Sequence, residues 1–406
     1  MSMMKDLAIR AAARTLAACG DRIAPLYVPR QDPWPLYERL RDRGPVYRSV
    51  IGYAAVSSHE LCSRVLRGPE FGMRDSAGRL PASQAIPLGM APSLLELDPP
   101  DHSRLRRLVA PAFRPKLINA FRPRIEELAG RLLERAGAGP FDLIADFAAP
   151  LPIAVISELL GIPEERRGDF ARYGTLTGLA MDGRLGVRER AEFAAATRSM
   201  TALFEELAGR RRSDPGEDVI SVLAAAVDGE RITAGELVST CQLLLIAGFE
   251  TTVNLIGNGV HLFGRHREQW ELLRADAGLA AGAVEEVLRF DPPVPLTGRV
   301  VQREVELGGR RLRRDTQVLT VLAAANRDPA VYADPGVFDI RRAQAAEHFA
   351  FSSGVHYCLG AQLARIEGEI AFRVLAERLP GLRAAGAGRL RPSVTIRGFS
   401  QLPVAA

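Results

Sequence analysis

The chain has 406 residues, of which 47% are hydrophobic and 25% are charged, a composition typical of a globular protein with a large core. Its formal net charge is +5, but the basic residues are scattered and only 6% of the residues are aromatic. A nucleic-acid-binding surface is therefore not expected, because such surfaces combine clustered basic residues with stacking aromatic side chains. No run approaches the roughly 20 apolar residues that span a bilayer, so no transmembrane segment is predicted.

In chain order, the sequence predicts a helix at 35–43, a strand pair within 46–56, helices at 59–67, 117–136, 151–160, 164–179 and 188–211, a long helix from 233 to about 261, a helix at 280–290, short strands within 300–321, and a final helix at 360–379. The predicted fold class is therefore mainly α with a minor β portion. Residues 1–25 are predicted to be an amphipathic extension in front of a single domain over residues 26–406. Arg10 and Arg14 interrupt the apolar run that an export signal requires, so we expect a helix that packs on the domain or touches a membrane surface.

The long helix should form the centre of the fold. Thr233 and Glu236 make a capping-box pattern at its start, and its predicted length of roughly 40 Å is enough to cross a domain. Residues 243–248 in its middle are apolar nearly all round, which is typical of a buried helix.

The four cysteines, at positions 19, 62, 241 and 358, include no Cys-x-x-Cys pair. Neither a disulfide framework nor a structural zinc site is expected, and a reducing cytoplasm is the predicted location. Cys358 differs from the others because a glycine-containing loop precedes it and a predicted helix follows it. Backbone N–H groups at such a helix start are expected to stabilise a thiolate and to lower the pKa of the thiol.

Residues 351–360 read Phe-Ser-Ser-Gly-Val-His-Tyr-Cys-Leu-Gly. A buried free cysteine is the ordinary alternative for Cys358, but the spacing Phe-x-x-Gly-x-His-x-Cys-x-Gly is too specific for it. This stretch resembles the cysteine-ligand loop of the cytochromes P-450, and three further motifs extend the resemblance from about residue 34 to 404. The resemblance implies the cytochrome P-450 fold, with the long central helix over a haem b and Cys358 as the axial ligand of its iron. Phe351, His356 and Gly360 would then be cofactor-binding residues.

The first further motif is Ala-Gly-Phe-Glu-Thr-Thr at residues 247–252, in the middle of the long helix. By resemblance, Ala247 leaves room for dioxygen next to the haem, Thr251 organises the hydrogen bonds around it, and Glu250 brings protons inward. These two polar residues are the predicted catalytic pair. The alternative is a core helix in which the threonine hydroxyl bonds to the preceding turn.

The other two motifs concern charged residues. His102 and Arg106 are four residues apart on a predicted helix and face the same side. The resemblance implies that both bind haem propionates, together with Arg299 and His356, and the alternative is an exposed basic helix. Glu286 and Arg289 are three residues apart, a spacing that is usually solvated but that the resemblance makes a buried structural pair. A third member of that pair could be Arg341 or Arg342, and the sequence leaves this open.

One residue departs from the family's pattern. The residue after Phe351 is usually glycine and here is Ser352, which is expected to alter the turn without removing the Cys358 ligand.

Substrate-facing positions follow from the resemblance, and they are almost wholly apolar, which predicts a lipophilic substrate. They are Leu243, Ile246, Ala247, Pro295, Leu296, Thr297, Ile396 and Leu402. Residues 82–94 and 176–187 would form the substrate access segment and the lid.

The chain carries no flavin or nicotinamide fingerprint and no ferredoxin cysteines. By resemblance, electrons would come ultimately from NAD(P)H through a separate ferredoxin and ferredoxin reductase. Candidates for a basic docking face are Arg106, Arg107, Arg114, Lys116 and Arg365, with ordinary surface arginines as the alternative. The resemblance implies a monooxygenase that inserts one atom of O2 into a small molecule by hydroxylation or epoxidation.

Two alternatives stay open. A peroxide-driven peroxygenase would need no proton delivery to dioxygen, so Glu250 and Thr251 argue against it. A non-catalytic haem-thiolate binding or sensing protein would keep the Cys358 loop but would have less use for those two residues.

Overall fold

The computed structural model describes residues 15–28, 32–50, 52–80, 92–137, 139–168, 170–343 and 345–406. The predicted extension at residues 1–25 and the predicted access segment at 82–94 lie largely outside the described residues. Within the described part, Ile23 and Leu26 are buried in a small cluster with the first helix. The Asp21 carboxylate accepts the backbone N–H of Ile23 at 2.8 Å, which fixes the chain there.

Helices make up most of the described chain. They are α1 (Trp34–Arg41), α2 (His59–Arg67), α3 (Asp101–Val109), α4 (Pro115–Ala120), α5 (Arg122–Ala136), α6 (Pro150–Leu160), α7 (Phe170–Met181), α8 (Val187–Ser213), α9 (Val219–Asp228), α10 (Ala234–Arg265), α11 (Arg267–Ala275), α12 (Ala280–Phe290), α13 (Leu322–Ala325) and α14 (Ala361–Arg378). A single π-helical turn, Ile144–Ala148, precedes α6.

The strands are short. They are β1 (Tyr47–Arg48), β2 (Ala54–Val56), β3 (Phe71–Gly72), β4 (Phe141–Asp142), β5 (Thr297–Val301), β6 (Val305–Leu307), β7 (Arg310–Leu312), β8 (Gln317–Thr320), β9 (Arg383–Ala384), β10 (Arg389–Leu390), β11 (Phe399–Gln401) and β12 (Pro403–Ala405). The largest sheet has the order β1-β2-β8-β5-β3, in which β2 and β8 are parallel. The β4-β12-β9 sheet and the β6-β7 and β10-β11 pairs are antiparallel.

Helix α10 forms the centre of the main core. The Thr233 hydroxyl accepts the Glu236 N–H at 3.1 Å, and the Glu236 carboxylate accepts the Thr233 N–H at 2.8 Å, so the predicted capping box is confirmed. The helix packs against α6, α8, α12 and α14. By length and hydropathy it could cross a membrane, but 78% of its most apolar window is buried inside the protein, as in the core helix of a globular domain.

The prediction of a mainly α fold with a minor β portion is confirmed, although some boundaries differ. The helix predicted at 117–136 is two helices, α4 and α5, because Pro123 lacks the N–H that a continuous helix needs and suits a helix start instead. The helix predicted from residue 164 begins at Phe170, after a short 3-10 turn. Helices α9, α11 and the four-residue α13 were not predicted.

Candidate functional site

The loop before α14 places Cys358 at the start of that helix. The Cys358 N–H donates to the Phe351 carbonyl at 2.9 Å, which closes the loop. Gly354 has a φ of +68°, and a Cβ there would lie 2.4 Å from the Leu66 carbonyl oxygen of α2. Glycine is therefore required at this position both by conformation and by close packing.

The thiol environment differs from the prediction. Burial raises the pKa of the Cys358 thiol, and the Gly360 N–H and the charges of Arg106 and Arg365 offset this only in part. The backbone N–H lowers the pKa as predicted, but desolvation disfavours the thiolate more than these groups favour it, so the net shift is upward. A bound metal cation deprotonates a coordinating thiol outright, so the thiolate at this site would depend on the metal.

Two histidines and two arginines converge beside the Cys358 loop. The rings of His102 and His356 lie 4.3 Å apart, centroid to centroid. Arg299 is 3% exposed, and burial lowers the pKa of its guanidinium to about 10. Arg106 donates to the Tyr357 carbonyl at 2.7 Å, which ties α3 to the loop.

This cluster fits the two propionates of a haem. Both ring nitrogens of His102 and Nε2 of His356 are buried without a hydrogen-bond partner among the described residues. Arg299 donates to Gly298 and Thr297, and within the described chain no carboxylate lies in ion-pair distance of it. Buried donors without acceptors are costly, and two carboxylates would satisfy them. His102, Arg106, Arg299 and His356 would therefore hold the propionates, as the resemblance implies.

A network that the sequence analysis missed supports the same loop. The Arg365 guanidinium carbon lies 4.5 Å from the centroid of the Phe351 ring, and Arg365 pairs with Glu285 at 2.6 Å. His348 also approaches Glu285, at 3.3 Å. Burial acts against ionisation of Glu285, but these two partners outweigh it and hold the pKa of the carboxyl near 2. Arg365, which the sequence analysis named as a candidate for the docking face, thus stabilises the position of the Phe351 ring.

Exposure along the middle of α10 marks the face that borders the internal site. Ala247 is exposed, and Leu243 and Thr251 are partly exposed, whereas Leu244 and Leu245 are buried. The Thr251 hydroxyl donates to the Ala247 carbonyl at 2.9 Å, which is the geometry of the core-helix alternative. Its oxygen still has lone pairs that can accept a hydrogen bond from a bound molecule.

The predicted acid is engaged in an ion pair. Glu250 is 2% exposed and pairs with Arg391, which lies near the C-terminus. Burial raises the pKa of Glu250, and Arg391 acts in the opposite direction. The partner stands 141 residues further along the chain, so no sequence signal identified it.

A second buried acid, Glu367 on α14, was also missed. It is 1% exposed, and neither carboxyl oxygen has a hydrogen-bond partner among the described residues. Burial raises its pKa to about 8, and the neighbouring Thr252 hydroxyl offsets this only in part. An acidic residue at an inward position of a helix after the Cys358 loop is the signal that could have identified it.

Replacing Glu367 with Gln is expected to flatten the pH dependence of stability between pH 4.5 and 8. In that window the unfolded chain loses the Glu367 proton while the folded protein keeps it, so the free energy of unfolding falls as the pH rises. The Gln variant should unfold with a free energy on the order of 3 kcal/mol higher at pH 8, and with an unchanged value near pH 4. Chemical denaturation at several pH values measures this. Equal curves for Glu367→Gln and the exposed control Glu306→Gln would contradict it.

The Glu286–Arg289 pair is buried, as the resemblance implied. Both side chains are 0% exposed, with Nε to Oε2 at 2.7 Å and Nη2 to Oε1 at 2.8 Å. The structure also resolves the open third member, because Arg342 lies 3.3 Å from Glu286 whereas Arg341 is exposed and lies 3.7 Å from Asp339.

Ser352 occupies a left-handed position, with a φ of +58°. This explains why glycine is usual there, since side chains with a Cβ adopt this region at a cost. The Ser352 hydroxyl is buried without a hydrogen-bond partner among the described residues. The neighbouring Ser353 has an extended backbone, and its hydroxyl accepts the Arg67 Nε–H at 2.6 Å.

Replacing Ser352 with Gly is expected to stabilise the protein by about 1 kcal/mol, because it removes both the strain and the unpaired hydroxyl. Ser353→Gly is the matched control in the same loop and should destabilise it, since it removes the bond to Arg67. Thermal unfolding of the two variants measures the difference. A lower melting temperature for Ser352→Gly than for the wild type would contradict this account.

The predicted substrate residues fall in different places. Leu243, Ile246 and Ala247 lie on α10, and Pro295 and Leu296 line a cavity of about 40 Å³ with the segment from 390 to 398. Thr297 begins β5, and Ile396 lies in the turn between β10 and β11. Leu402 is set apart from them, because its backbone bonds to Asp142 and Leu143 beside β4. Its place among the substrate-facing residues stays a prediction.

Several known proteins are similar to this chain. The cytochrome P450 family model matches residues 188–378. The cytochrome P450 monooxygenase PikC of Streptomyces venezuelae is 39% identical over 92% of this chain and 91% of its own length. The 6-deoxyerythronolide B hydroxylase of Saccharopolyspora erythraea is 41% identical over 76% of each chain. The ligand-free crystal structure of CYP164A2 from Mycobacterium smegmatis has a TM-score of 0.85 and 38% identity, and the match covers 95% of this chain and 99% of that one.

The relatives match across most of both chains, and the solved structure has the same arrangement of helices around the central one. The predicted fold and enzyme class, a monooxygenase of this family, are confirmed by these matches. The chain belongs to the cytochrome P450 family.

Proposed function

We propose that this protein hydroxylates or epoxidises a lipophilic small molecule, with electrons from a ferredoxin and a ferredoxin reductase. The observation that carries the proposal is the convergence of two arginines and two histidines beside Cys358, where both ring nitrogens of His102 and Nε2 of His356 are buried without a hydrogen-bond partner among the described residues. The names of the relatives, a hydroxylase and a monooxygenase, support the reaction class. Residues 26–406 act as the single catalytic domain, and the free cysteines fit a cytoplasmic location.

The residues of the site have distinct tasks. Cys358 binds the haem iron, and His102, Arg106, Arg299 and His356 hold its propionates. When bound, the haem supplies activation of dioxygen. Thr251 accepts a hydrogen bond from a bound molecule at its hydroxyl oxygen, and Glu250 carries a proton into the buried site. The remaining residues proposed to contact the cofactor are Ala247, Phe351 and Gly360.

The proposed pocket is apolar, which supports a lipophilic substrate. The residues proposed to border it, Leu243, Ile246 and Leu296, are apolar, and Thr297 adds one hydroxyl. Apolar walls with few polar groups bind a substrate mainly by removing its surface from water.

The docking face for a ferredoxin is proposed around α3, α4 and the Cys358 loop. Arg107, Arg114 and Lys116 are exposed there, so their charges are available to an acidic partner. Exposed apolar side chains accompany them, with Leu117 50% and Val355 53% exposed. Arg106 and Arg365 bond within the protein and support the loop rather than the face.

Replacing Thr251 with Ala is expected to keep the haem but to lower product formed per electron pair by about tenfold or more, with hydrogen peroxide released instead. The reason is that the hydroxyl that directs proton transfer is gone. The measurement compares the NADPH consumed, the product formed and the hydrogen peroxide released in a system reconstituted with ferredoxin and ferredoxin reductase. A separate comparison at low and high salt tests the docking face. Because that face is charged, high salt should lower the turnover.

Thr252→Ala is the matched control, because Thr252 is the next residue of α10 but is only 1% exposed. It should keep wild-type coupling, and Thr251→Ser should restore it. Equal coupling in Thr251→Ala and the wild type, with hydrogen peroxide supporting turnover as well as the ferredoxin does, would favour the peroxygenase instead.

A further inference from the structure

Helix α10 carries a polar stripe at four-residue spacing, formed by Glu250, Asn254 and Asn258. All three residues are buried, with exposures of 2%, 0% and 1%. Residues four apart lie on one face of a helix. Asn254 Nδ2 donates to the Glu250 carbonyl at 2.6 Å, and Asn258 Nδ2 donates to the Asp291 carbonyl at 3.1 Å. The stripe also lies against the C-terminal hairpin, which we define as residues 389–401, comprising β10, β11 and the turn between them.

The hairpin backbone lies directly on the stripe. A Cβ on Gly398 would lie 1.9 Å from Asn254 Oδ1, so only glycine allows this approach. Asn258 Nδ2 donates to the Arg397 carbonyl at 3.4 Å. The base of the hairpin is therefore fixed to α10.

Arg391 connects the hairpin to the buried acid. Its side chain is 13% exposed and forms the ion pair with Glu250, and its Nε also donates to the Phe399 carbonyl at 3.2 Å. The guanidinium is thus held by its own hairpin while it compensates the Glu250 charge. A carboxylate buried to this extent depends on such a partner to stay ionised.

The tip of the hairpin is bonded to the connection between α7 and α8. Asp182, the first residue after α7, accepts the Val394 N–H at 3.0 Å, the Thr395 N–H at 3.1 Å and the Thr395 hydroxyl at 2.6 Å. Helix α7 also covers the acid itself, since a Cβ on Gly174 would lie 2.8 Å from Glu250 Oε2. One hairpin therefore contacts both the predicted lid and the predicted proton donor.

We propose that the C-terminal hairpin is a strap that couples the α7–α8 connection to Glu250. Arg391 is a positioning residue that holds the Glu250 carboxylate, and Asp182 fastens the tip of the strap to the connection. When the connection moves to admit substrate, the strap moves with it and separates Arg391 from Glu250. The inference rests on the proposed function, in which Glu250 supplies protons, and it makes acid availability depend on the state of the lid.

The test compares Asp182→Asn, Arg391→Gln and the double variant with the wild type, all as haem-loaded protein without turnover. Hydrogen exchange reports the lid at residues 176–187, and infrared spectroscopy reports the protonated Glu250 carboxyl, assigned by its loss in Glu250→Gln. Asp182→Asn is expected to speed exchange at the lid about tenfold, the effect of losing one charge-assisted hydrogen bond, and to raise the Glu250 band. Arg391→Gln is expected to raise the band and also to speed exchange at the lid.

Arg389→Gln is the matched control, because Arg389 is an exposed arginine of the same strand. It should change neither signal, and the double variant should show effects smaller than the sum of the single ones. Faster lid exchange in Asp182→Asn with an unchanged Glu250 band would overturn the coupling, as would unchanged lid exchange in Arg391→Gln. A missing thiolate spectrum would instead sink the proposed function, and neither signal measured here depends on that spectrum.

Discussion

Replacing Cys358 with Ala is expected to remove the thiolate spectrum and to reduce monooxygenase turnover to background. A thiolate ligand pushes electron density toward bound oxygen and favours cleavage of the O–O bond, and no other side chain of the loop can replace it. The measurement is the absorption spectrum, the haem content and the product yield of the variant. Haem retained through His102, Arg299 and His356 would show that the propionate cluster binds independently of the iron ligand.

Cys62→Ala and Cys241→Ala are the matched controls for this variant. Both cysteines are 0% exposed in the packed core, whereas Cys358 is partly exposed, so neither of the two is accessible to a cofactor. These variants should keep the spectrum and the turnover. A thiolate spectrum that survives in Cys358→Ala and disappears in either control would move the ligand elsewhere.

Replacing Arg289 with Leu is expected to lower the free energy of unfolding by about 3–5 kcal/mol, because Glu286 then stays buried with only Arg342, at 3.3 Å, as a charged partner. Arg289 also donates to the carbonyls of Asn326 at 3.1 Å and Pro335 at 3.0 Å, and both acceptors would lose their bonds. Chemical denaturation followed by circular dichroism measures the change. Arg289→Lys keeps the charge but loses the planar fork, so it should fold with an intermediate loss if Arg289→Leu does not fold.

Arg341→Leu is the control for a neighbouring arginine outside the pair. Its side chain is 61% exposed, so the expected change is within about 0.5 kcal/mol. The double variant Glu286→Leu, Arg289→Leu should lose less stability than the sum of the single variants, since both charges of the pair are removed together. A cost for Arg289→Leu no larger than that for Arg341→Leu would show that the buried pair does not stabilise the fold.

Local signals in the sequence predicted much of the fold. The start of α10 follows from Thr233 and Glu236, which satisfy the first backbone N–H groups of the helix. The helix ends at Arg265, four residues beyond the predicted end at residue 261, and no comparable capping signal in the sequence marks this end. Gly264 did not end the helix, because the last turn continues until His266 leaves the helical conformation.

In the candidate site, too, local relations could be predicted from the sequence and long-range contacts could not. Residues close in sequence, such as Phe351 and Cys358, have a fixed relation, so their arrangement was predictable. Arg391 and Glu367 were not, because the role of each depends on tertiary packing: Arg391 meets an acid 141 residues away, and Glu367 matters only because it is buried. The choice between Arg341 and Arg342 likewise needed coordinates, since adjacent residues differ in direction rather than in type.

The central claim is that Cys358 binds a haem iron as a thiolate, and the most direct test is the difference spectrum of the purified, reduced protein with carbon monoxide. The account predicts a Soret band at the wavelength in nanometres that gives the family its number, and substrate-like ligands should then shift the spin state. A band at the shorter wavelength of imidazole or protonated-thiol ligation, or no haem band at all, would contradict the account.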